Sequence, residues 1–266
     1  AEFKTYCIIG DPIDHSLSPA IHNAAFNALS LNCSYIAFRV QEGQLKDSLD
    51  SLRAINIGGF NVTMPHKIKV LGAVNTVNND NGKFRAYNTD VIGFIKPLHK
   101  RKIDFNGFEV FILGAGGAAQ AAVVALADEK GISKINIFSR NTDRSKKLSS
   151  MVEKLGLEAG IISGDDIQLI ASKSHLIINT TPLGMNNEKS LINSTNIRKD
   201  AIVYDIVYKP INTNLLENAK TAGAEVVYGH EMLLEQAIAS FKIWVQMDPP
   251  VESMKKVLFG MFGEPT

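Results

Sequence analysis

The sequence predicts an α/β protein of two domains, on three observations. Short apolar, β-branched runs alternate with helical patterns along most of the chain, as in a mostly parallel sheet covered by helices. A glycine-rich turn, "ILGAGGAAQ" at 112–120, follows a strand-like run and opens a helix-like one. With 266 residues, the chain suits one large or two medium domains.

The elements follow in order. "TYCIIG" (5–10) reads as a strand, and "SPAIHNAAFNALSL" (18–31) as a helix with Ser18 at the N-cap and Pro19 in its first position. "CSYIAFRV" (33–40) is a second strand, "GQLKDSLDSLRAIN" (43–56) a second helix and "GFNVTM" (59–64) a third strand. "AVNTVNND" and "KFRAYNTD" flank "NDNGK", which reads as a hairpin; "VIGFIKPL" reads as a helix. A new unit opens after "KPLHKRKIDFNG", with "FEVFILG", "KINIFSR", "HLIINTT", "AIVYDIVY" and "AEVVYG" as strands and "GAAQAAVVALADEK" as the first helix. "HEMLLEQAIASFKIWV" and "VESMKKVLFGMF" close the chain as helices. Expected boundaries fall near residues 99 and 229. They divide the chain into 1–99, expected to be mainly parallel α/β, 100–228, a second α/β unit with the glycine-rich turn, and 229–266, the closing helices.

Composition narrows the function. Lys and Arg total 28 against 27 Asp and Glu, so the charge balance gives no reason to expect a nucleic-acid or anionic-membrane partner. The two cysteines, Cys7 and Cys33, form no C-x-x-C pair, and a reducing cytosol is the expected compartment. The six histidines show no metal-ligand spacing, so no metal is expected. The start "AEFKTYCIIG" lacks the apolar core of a signal peptide. Val110–Ala127 is nearly uncharged, but its glycine-rich middle and strand-like first part argue against a membrane span.

Gly114, Gly116 and Ala119 match the G-x-G-x-x-A pattern. Such a turn lets a pyrophosphate approach the backbone and sets it on free N–H groups at a helix start. The same pattern also occurs as a turn with no ligand. NAD-binding versions carry an acidic residue about 20 positions on, whereas the corresponding strand here ends "FSRNTDR". Arg140, helped by Ser139, Thr142 and Arg144, suits a 2′-phosphate and argues for NADP. Arg144 also reads as a residue of a solvated first helical turn, and Asp143 in the same loop weakens the case.

The first domain holds polar groups with two readings each. Ser18 caps a helix; with Ser16 it also offers two hydroxyls to a carboxylate. Thr63 and Lys67 follow a strand, where ligands bind in open α/β sheets, although a lysine there is commonly a surface group. Asn75, Asn88 and Asp90 lie near strand ends; Asp90 also reads as a helix cap and Asn88 as a turn residue.

Taken together, "SLSPAIHN", "GFNVTMPHK", "GAVNTV", "YNTDVIGF", "GAGGAA", "SRNTDR", "NTTPLGM", "DIVYKP" and "GHEMLLEQA" closely resemble shikimate dehydrogenase over nearly the whole length. The resemblance implies two α/β domains with a cleft between them: a substrate-binding and catalytic domain over 1–99 and a Rossmann-type NADP-binding domain over 100–228, with the helices of 229–266 returning to the first. It also implies the NADPH-dependent reduction of 3-dehydroshikimate to shikimate, on the route to chorismate and aromatic amino acids. It implies Lys67 and Asp90 as the catalytic pair. Ser16, Ser18 and Tyr208 would hold the substrate carboxylate, and Thr63, Asn75 and Gln236, with Lys67 and Asp90, the ring hydroxyls. Gly114, Gly116, Gly117 and Ala118 would line the pyrophosphate, and Ser139, Arg140, Thr142 and Arg144 the adenosine phosphate. Thr181, Gly229 and Met232 would flank the nicotinamide. The implied partner is a small-molecule substrate, with no nucleic acid and no membrane, in a monomer or homodimer.

Two features depart from this pattern or compete with it. Lys67 and Gly72 are separated by "IKVL" alone, where the resemblance implies a longer helical segment, and a parallel crossover needs a dozen or more residues. The joint is therefore read as a true deletion or as a place where the natural chain is longer. The alternatives in function are a quinate/shikimate dehydrogenase using NAD and a non-catalytic regulator that binds NADP or shikimate. A Rossmann-type methyltransferase suits the fingerprint and Arg140 less well.

Overall fold

A computed structural model describes residues 2–66 and 74–262. Lys67 and the "IKVL" joint lie outside them. The chain divides into two compact units, Ala1–Gly93 with Leu234–Thr266, and Phe94–Leu233.

The first unit is built on a five-stranded sheet of order β2-β1-β3-β4-β5, with β1 Lys4–Gly10, β2 Cys33–Arg39, β3 Gly59–Val62, β4 Thr76–Asp80 and β5 Lys83–Tyr87. β1 pairs in parallel with β2 and β3, whereas β4 runs antiparallel to both β3 and β5. The neighbours across the short joint are therefore antiparallel, and the long crossover that a parallel pair requires does not arise. The "NDNGK" hairpin forms as expected, with Asp80 opposite Lys83 and positive φ at Asn81 (51°) and Gly82 (86°), a conformation that favours Asn-Gly.

Period-two alternation gives this sheet two different faces. Cys7, Ile9, Phe60, Val62 and Val77 form an aliphatic cluster with Leu52, Leu45 and Leu49 of α2 (Leu45–Ala54). On the other side, Tyr6 packs against Phe26 of α1 (Ser18–Ala28) and against Trp244. Trp244 donates its indole N–H to the Val77 carbonyl at 2.9 Å, over a position where a Cβ on Gly59 would collide with the indole. Within this aromatic layer His22 is fully buried and stacked on Tyr35, with ring centroids 4.5 Å apart. Neither of its ring nitrogens has a partner among the described residues.

The second unit carries six parallel strands in the order β11-β10-β9-β6-β7-β8. They are β6 Phe108–Leu113, β7 Ile132–Phe138, β8 Glu158–Ile161, β9 Leu176–Asn179, β10 Ile202–Asp205 and β11 Glu225–Tyr228. Renumbered from β6 this is 3-2-1-4-5-6, the doubly wound dinucleotide order. The alanine-rich helix α4 (Gly117–Ala127) buries Ala119, Ala122, Val123 and Leu126. Opposite walls of the core come from α6 (Ile167–Ala171) and α7 (Asn214–Ala222), which join Phe111, Leu113, Ile177 and Val203 in one cluster. Val110–Ala127 is thus a strand, a turn and a helix, and no helix among the described residues is long and apolar enough to cross a membrane.

The unit boundaries fall inside α3 (Thr89–Lys100) and α8 (Gly229–Val245); α5 (Thr142–Lys154) and α9 (Val251–Gly260) complete the fold. Just past α3, Arg101 donates to both carboxylate oxygens of Glu231 at 2.8 and 2.9 Å, to the carbonyls of Pro97 and Val226, and to Glu225 at 3.0 Å.

Burial lowers the His22 pKa from 6.5 to about 3, so the ring is neutral in the fold while the unfolded chain takes up a proton below 6.5. Stability is fully present above that pH and declines as pH falls from 6.5 toward 3. We predict that the unfolding free energy of His22→Leu, measured in urea between pH 6.5 and 4, loses on the order of 1 kcal/mol less per pH unit than that of the wild type. Equal slopes would show that His22 is not the group responsible.

Candidate active site

One reversed strand gathers the polar groups of the first unit. β1, β2 and β3 run in one direction; β5, two reversals on, shares it. The end of β3, the start of β4 and the end of β5 therefore meet at one edge of the sheet, the carboxyl end where open α/β sheets bind ligands. Thr63 follows β3, Asn75 precedes β4, and Asn88 to Asp90 follow β5. Backbone bonds from Val62 N to Asn75 O (2.9 Å) and from Asn75 N to Tyr87 O (3.2 Å) join the three segments.

Asn75 and Asp90 are in direct contact. Asn75 Nδ2 donates to Asp90 Oδ1 at 2.8 Å. The orientation of the amide is set by a group that can only donate: the Thr89 backbone N–H binds Asn75 Oδ1 at 2.7 Å. The NH2 side must then face Asp90 and donate to its carboxyl oxygen. Asp90 does not cap α3. It lies inside the first turn, where a negative charge complements the helix dipole. Asn88 takes the capping role, accepting the Asp90 N–H at 3.1 Å.

Ser16 and Ser18 precede and begin α1. The expected cap is corrected here: Ser18 is the first helical residue, Leu17 is at the N-cap, and no side chain caps the helix. Ser16 Oγ accepts the Ser18 N–H at 3.3 Å. Ser18 is buried at 4 % exposure, and its hydroxyl is hydrogen-bonded to the Tyr35 phenol. Thr63 is held by its N–H to Ile9 O at 3.0 Å, and its methyl occupies the space a Cβ on Gly10 would take. Sequence reasoning gave His66 no role. Its buried ring bonds Val40 O through Nε2 at 2.7 Å and its backbone N–H bonds Thr63 O at 3.0 Å, anchoring the residue before Lys67. Gln236 is buried on α8.

In the second unit the turn after β6 has the shape that its glycines predict. Gly114 has φ +111°, and a Cβ there would strike the Thr180 hydroxyl. Gly116 caps α4 with φ −92°, without a side-chain cap bond and with no acidic residue in the first turn. A Cβ on Gly116 would meet nothing within 4 Å. The backbone is open to a bulky anion there, and the N–H groups at the start of α4, from Gly117 and Ala118 onward, point toward the helix's positive end. This arrangement fits a pyrophosphate.

The loop after β9 is pinned against that turn. Asn179 Oδ1 accepts from Thr181 N (3.1 Å) and Thr181 Oγ1 (2.7 Å), while Asn179 Nδ2 donates to Leu183 O (3.0 Å) and to Asp205 Oδ1 (2.9 Å). Asp205 also accepts from Val207 N (3.0 Å) and Thr213 Oγ1 (2.6 Å). Burial pushes its carboxyl up to about 6, against the downward pull of these three donors. The "NTT" and "DIVY" motifs were visible in the sequence; the bond between them was not.

At the end of β7, Ser139 Oγ accepts Asn141 N (3.2 Å) and Asn141 Oδ1 accepts Arg144 N (2.9 Å). Asn141 therefore caps α5 and Thr142 opens it. Arg140 and Arg144 are exposed beside this cap, free to meet an anion. Tyr208 lies beyond β10, its phenol pushed up by burial. Gly229 opens α8 where a Cβ would collide with the Ile206 carbonyl, and Met232 is buried one turn further on.

Comparison with known proteins agrees with both halves of this description. Residues 8–89 match the shikimate dehydrogenase substrate binding domain, 97–208 the shikimate / quinate 5-dehydrogenase family and 229–259 the shikimate 5′-dehydrogenase C-terminal domain. The NADP(+) shikimate dehydrogenase of Nitrosopumilus maritimus (strain SCM1) is 44% identical, over 97% of this chain and 99% of its own. Among solved structures, shikimate 5-dehydrogenase from Thermus thermophilus in complex with NADP(H) and shikimate superposes with TM-score 0.85 at 29% identity, over 97% of this chain and 99% of the other. Quinate dehydrogenase from Corynebacterium glutamicum in complex with NAD gives TM-score 0.89 at 27% identity, over 97% and 99%.

The two glycines of the turn should respond differently to one added methyl. Gly116→Ala retains the melting temperature and loses at least about tenfold in dinucleotide affinity by fluorescence titration, because the methyl fits the fold and fills the anion's approach. Gly114→Ala costs about 1–3 kcal/mol of stability, because it combines positive φ with a collision. A Gly116→Ala protein that binds dinucleotide normally would remove the pyrophosphate assignment.

Proposed function

The chain belongs to the shikimate dehydrogenase family, and we propose that it interconverts shikimate and 3-dehydroshikimate with NADP in aromatic amino acid biosynthesis. It is an oxidoreductase acting on a CH–OH group. One observation carries the reading furthest: the Asn75 amide faces Asp90 as a donor and holds its carboxyl group at the edge where Thr63, Ser16 and Ser18 also lie.

NADP, when bound, supplies the nicotinamide that exchanges hydride with the ring carbon bearing the reacting oxygen. The protein's own task is then the proton. As hydride leaves the carbinol carbon of shikimate, the hydroxyl must lose a proton; in the reverse direction the carbonyl oxygen must gain one. Lys67 is the acid/base for this transfer, because an ammonium can both stabilise charge on that oxygen and return the proton. Asp90 orients the lysine and supports its charged form. Asn75 holds Asp90, and with Thr63 and Gln236 it binds the ring hydroxyls. Ser16 and Ser18, at the start of α1, receive the substrate carboxylate together with Tyr208.

The residues of the second unit fit NADP. Gly114, Gly116, Gly117 and Ala118 take the pyrophosphate. Ser139, Arg140, Thr142 and Arg144 take the 2′-phosphate, since their strand end carries two exposed guanidinium groups where an NAD site would carry a carboxylate. Thr181, Gly229 and Met232 flank the nicotinamide.

The test is an absorbance assay of nicotinamide reduction with shikimate and quinate, each with NADP+ and NAD+. Turnover is expected with shikimate and NADP+; preference for quinate and NAD+ would move the assignment to the quinate branch, and cofactor binding without turnover to a regulator. Lys67→Ala should lower kcat sharply with KM nearly unchanged, and a kcat/KM within about threefold of wild type, under about 1 kcal/mol of barrier, would remove Lys67 from the chemistry. Arg140→Ala should raise the KM for NADP+ about tenfold and leave that for NAD+ unchanged.

A further inference from the structure

We infer that Ser240, on α8, is a positioning residue for the Asn75–Asp90 pair, an inference that rests on the role given to Asp90 above. Ser240 is fully buried and distant in sequence from the residues it touches. Its Oγ donates to the Gln236 carbonyl at 3.0 Å. It also lies 2.9 Å from Thr76 Oγ1, 3.1 Å from Thr89 Oγ1 and 3.2 Å from Asn61 Nδ2.

The count of protons assigns the role. A serine hydroxyl has one hydrogen, and that of Ser240 is directed to Gln236. Toward Thr76 and Thr89 it is therefore an acceptor. Asn61 is oriented independently: Tyr35 donates to its Oδ1 at 2.6 Å, so its NH2 faces the network and reaches Asn75 O at 3.0 Å and Thr76 Oγ1 at 2.9 Å. Thr89 Oγ1 receives Asn75 Nδ2 at 2.9 Å. Two hydroxyl hydrogens, on Thr76 and Thr89, remain to be accepted. Asn75 Oδ1 is within 3.2 Å of Thr76 Oγ1 and 3.1 Å of Thr89 Oγ1 but already holds the Thr89 backbone N–H. The two threonine oxygens also lie 2.9 Å from each other, and with Ser240 accepting one hydrogen the other passes between them or to Asn75 Oδ1.

Without the Ser240 oxygen the two threonine hydrogens must re-pair, one onto the other threonine's oxygen at 2.9 Å and the other onto Asn75 Oδ1, which already holds the Thr89 backbone N–H. That re-pairing loads Asn75 Oδ1 and loosens the set of bonds that holds the amide toward Asp90. Ser240 is sealed from solvent behind the two threonines. It acts through Thr76 and Thr89, and it ties the turn of α8 that carries Gln236 to the start of β4, next to Asn75.

The experiment compares Ser240→Ala, Ser240→Cys, Thr76→Val and the Ser240→Ala/Thr76→Val double variant with a wild type already shown to turn over shikimate and NADP+; an inactive wild type would instead overturn the functional reading. Turnover is expressed per NADPH-binding site, by fluorescence titration, so that misfolded material does not count. Expected are a fall of about tenfold in kcat for both Ser240 variants, an unchanged KM for NADP+, and a double variant no worse than about the weaker single, because both residues serve one ring of hydroxyls. Cysteine keeps the volume and loses the strong acceptor, so a Ser240→Cys enzyme with wild-type kcat would reduce the residue to packing and overturn the proposal. Losses confined to melting temperature, or losses that multiply in the double variant, would overturn it as well.

Discussion

The bond from the Thr89 backbone to Asn75 Oδ1 fixes more of this molecule than its length suggests. A backbone N–H cannot change from donor to acceptor, so the amide it meets has one orientation, and that orientation decides which face Asp90 sees. The bond exists because β4 is reversed. Had β4 run parallel to β3, Asn75 would sit at the far edge of the sheet and Thr89 would have no oxygen to meet. Topology, amide polarity and the placement of a carboxyl group thus form one causal sequence. The hydroxyls of Thr76, Thr89 and Ser240 exist on the same terms, as a filled interior that prevents the amide from turning over.

The second unit solves a different problem by a similar economy of backbone. Gly114 gives up its side chain so that the Thr180 loop can close against the turn; Gly116 gives up its side chain to open space instead. Asp205 and Asn179 hold the loop from below. Three donors surround the Asp205 carboxylate, and this lets a charged group stand inside a wall of β10 residues whose neighbours are apolar.

Much of the architecture was legible because its signals are local. "NDNG" dictates a tight hairpin, strand–glycine–helix dictates the phosphate turn, and the buried parallel strands are continuous apolar runs. β8, α6 and α7 were harder. β8 reads "EAGI", half exposed and containing Gly160, which tolerates no side chain against Asn136; α6 spans only five residues. For α7 the signal was present and unused: Thr213 caps its start and Gly223, at φ +80°, ends it. In the site, the residue types stood in the motifs, while their duties depended on partners far along the chain. Ser18 resembles a cap from its position before Pro19, yet the backbone enters the helix one residue earlier. Nothing near Ser240 in sequence announces Thr76, because the contact spans 164 positions.

Arg101 adds a point about what substitution tables measure. Its guanidinium serves Glu231, Glu225 and two backbone carbonyls at once. Lysine preserves the charge but offers a single compact head and cannot satisfy partners lying in different directions. A descendant lineage that drifted to lysine here would look conservative in any alignment scored by charge, although the shape of the donor group, which is what this cluster uses, would be gone.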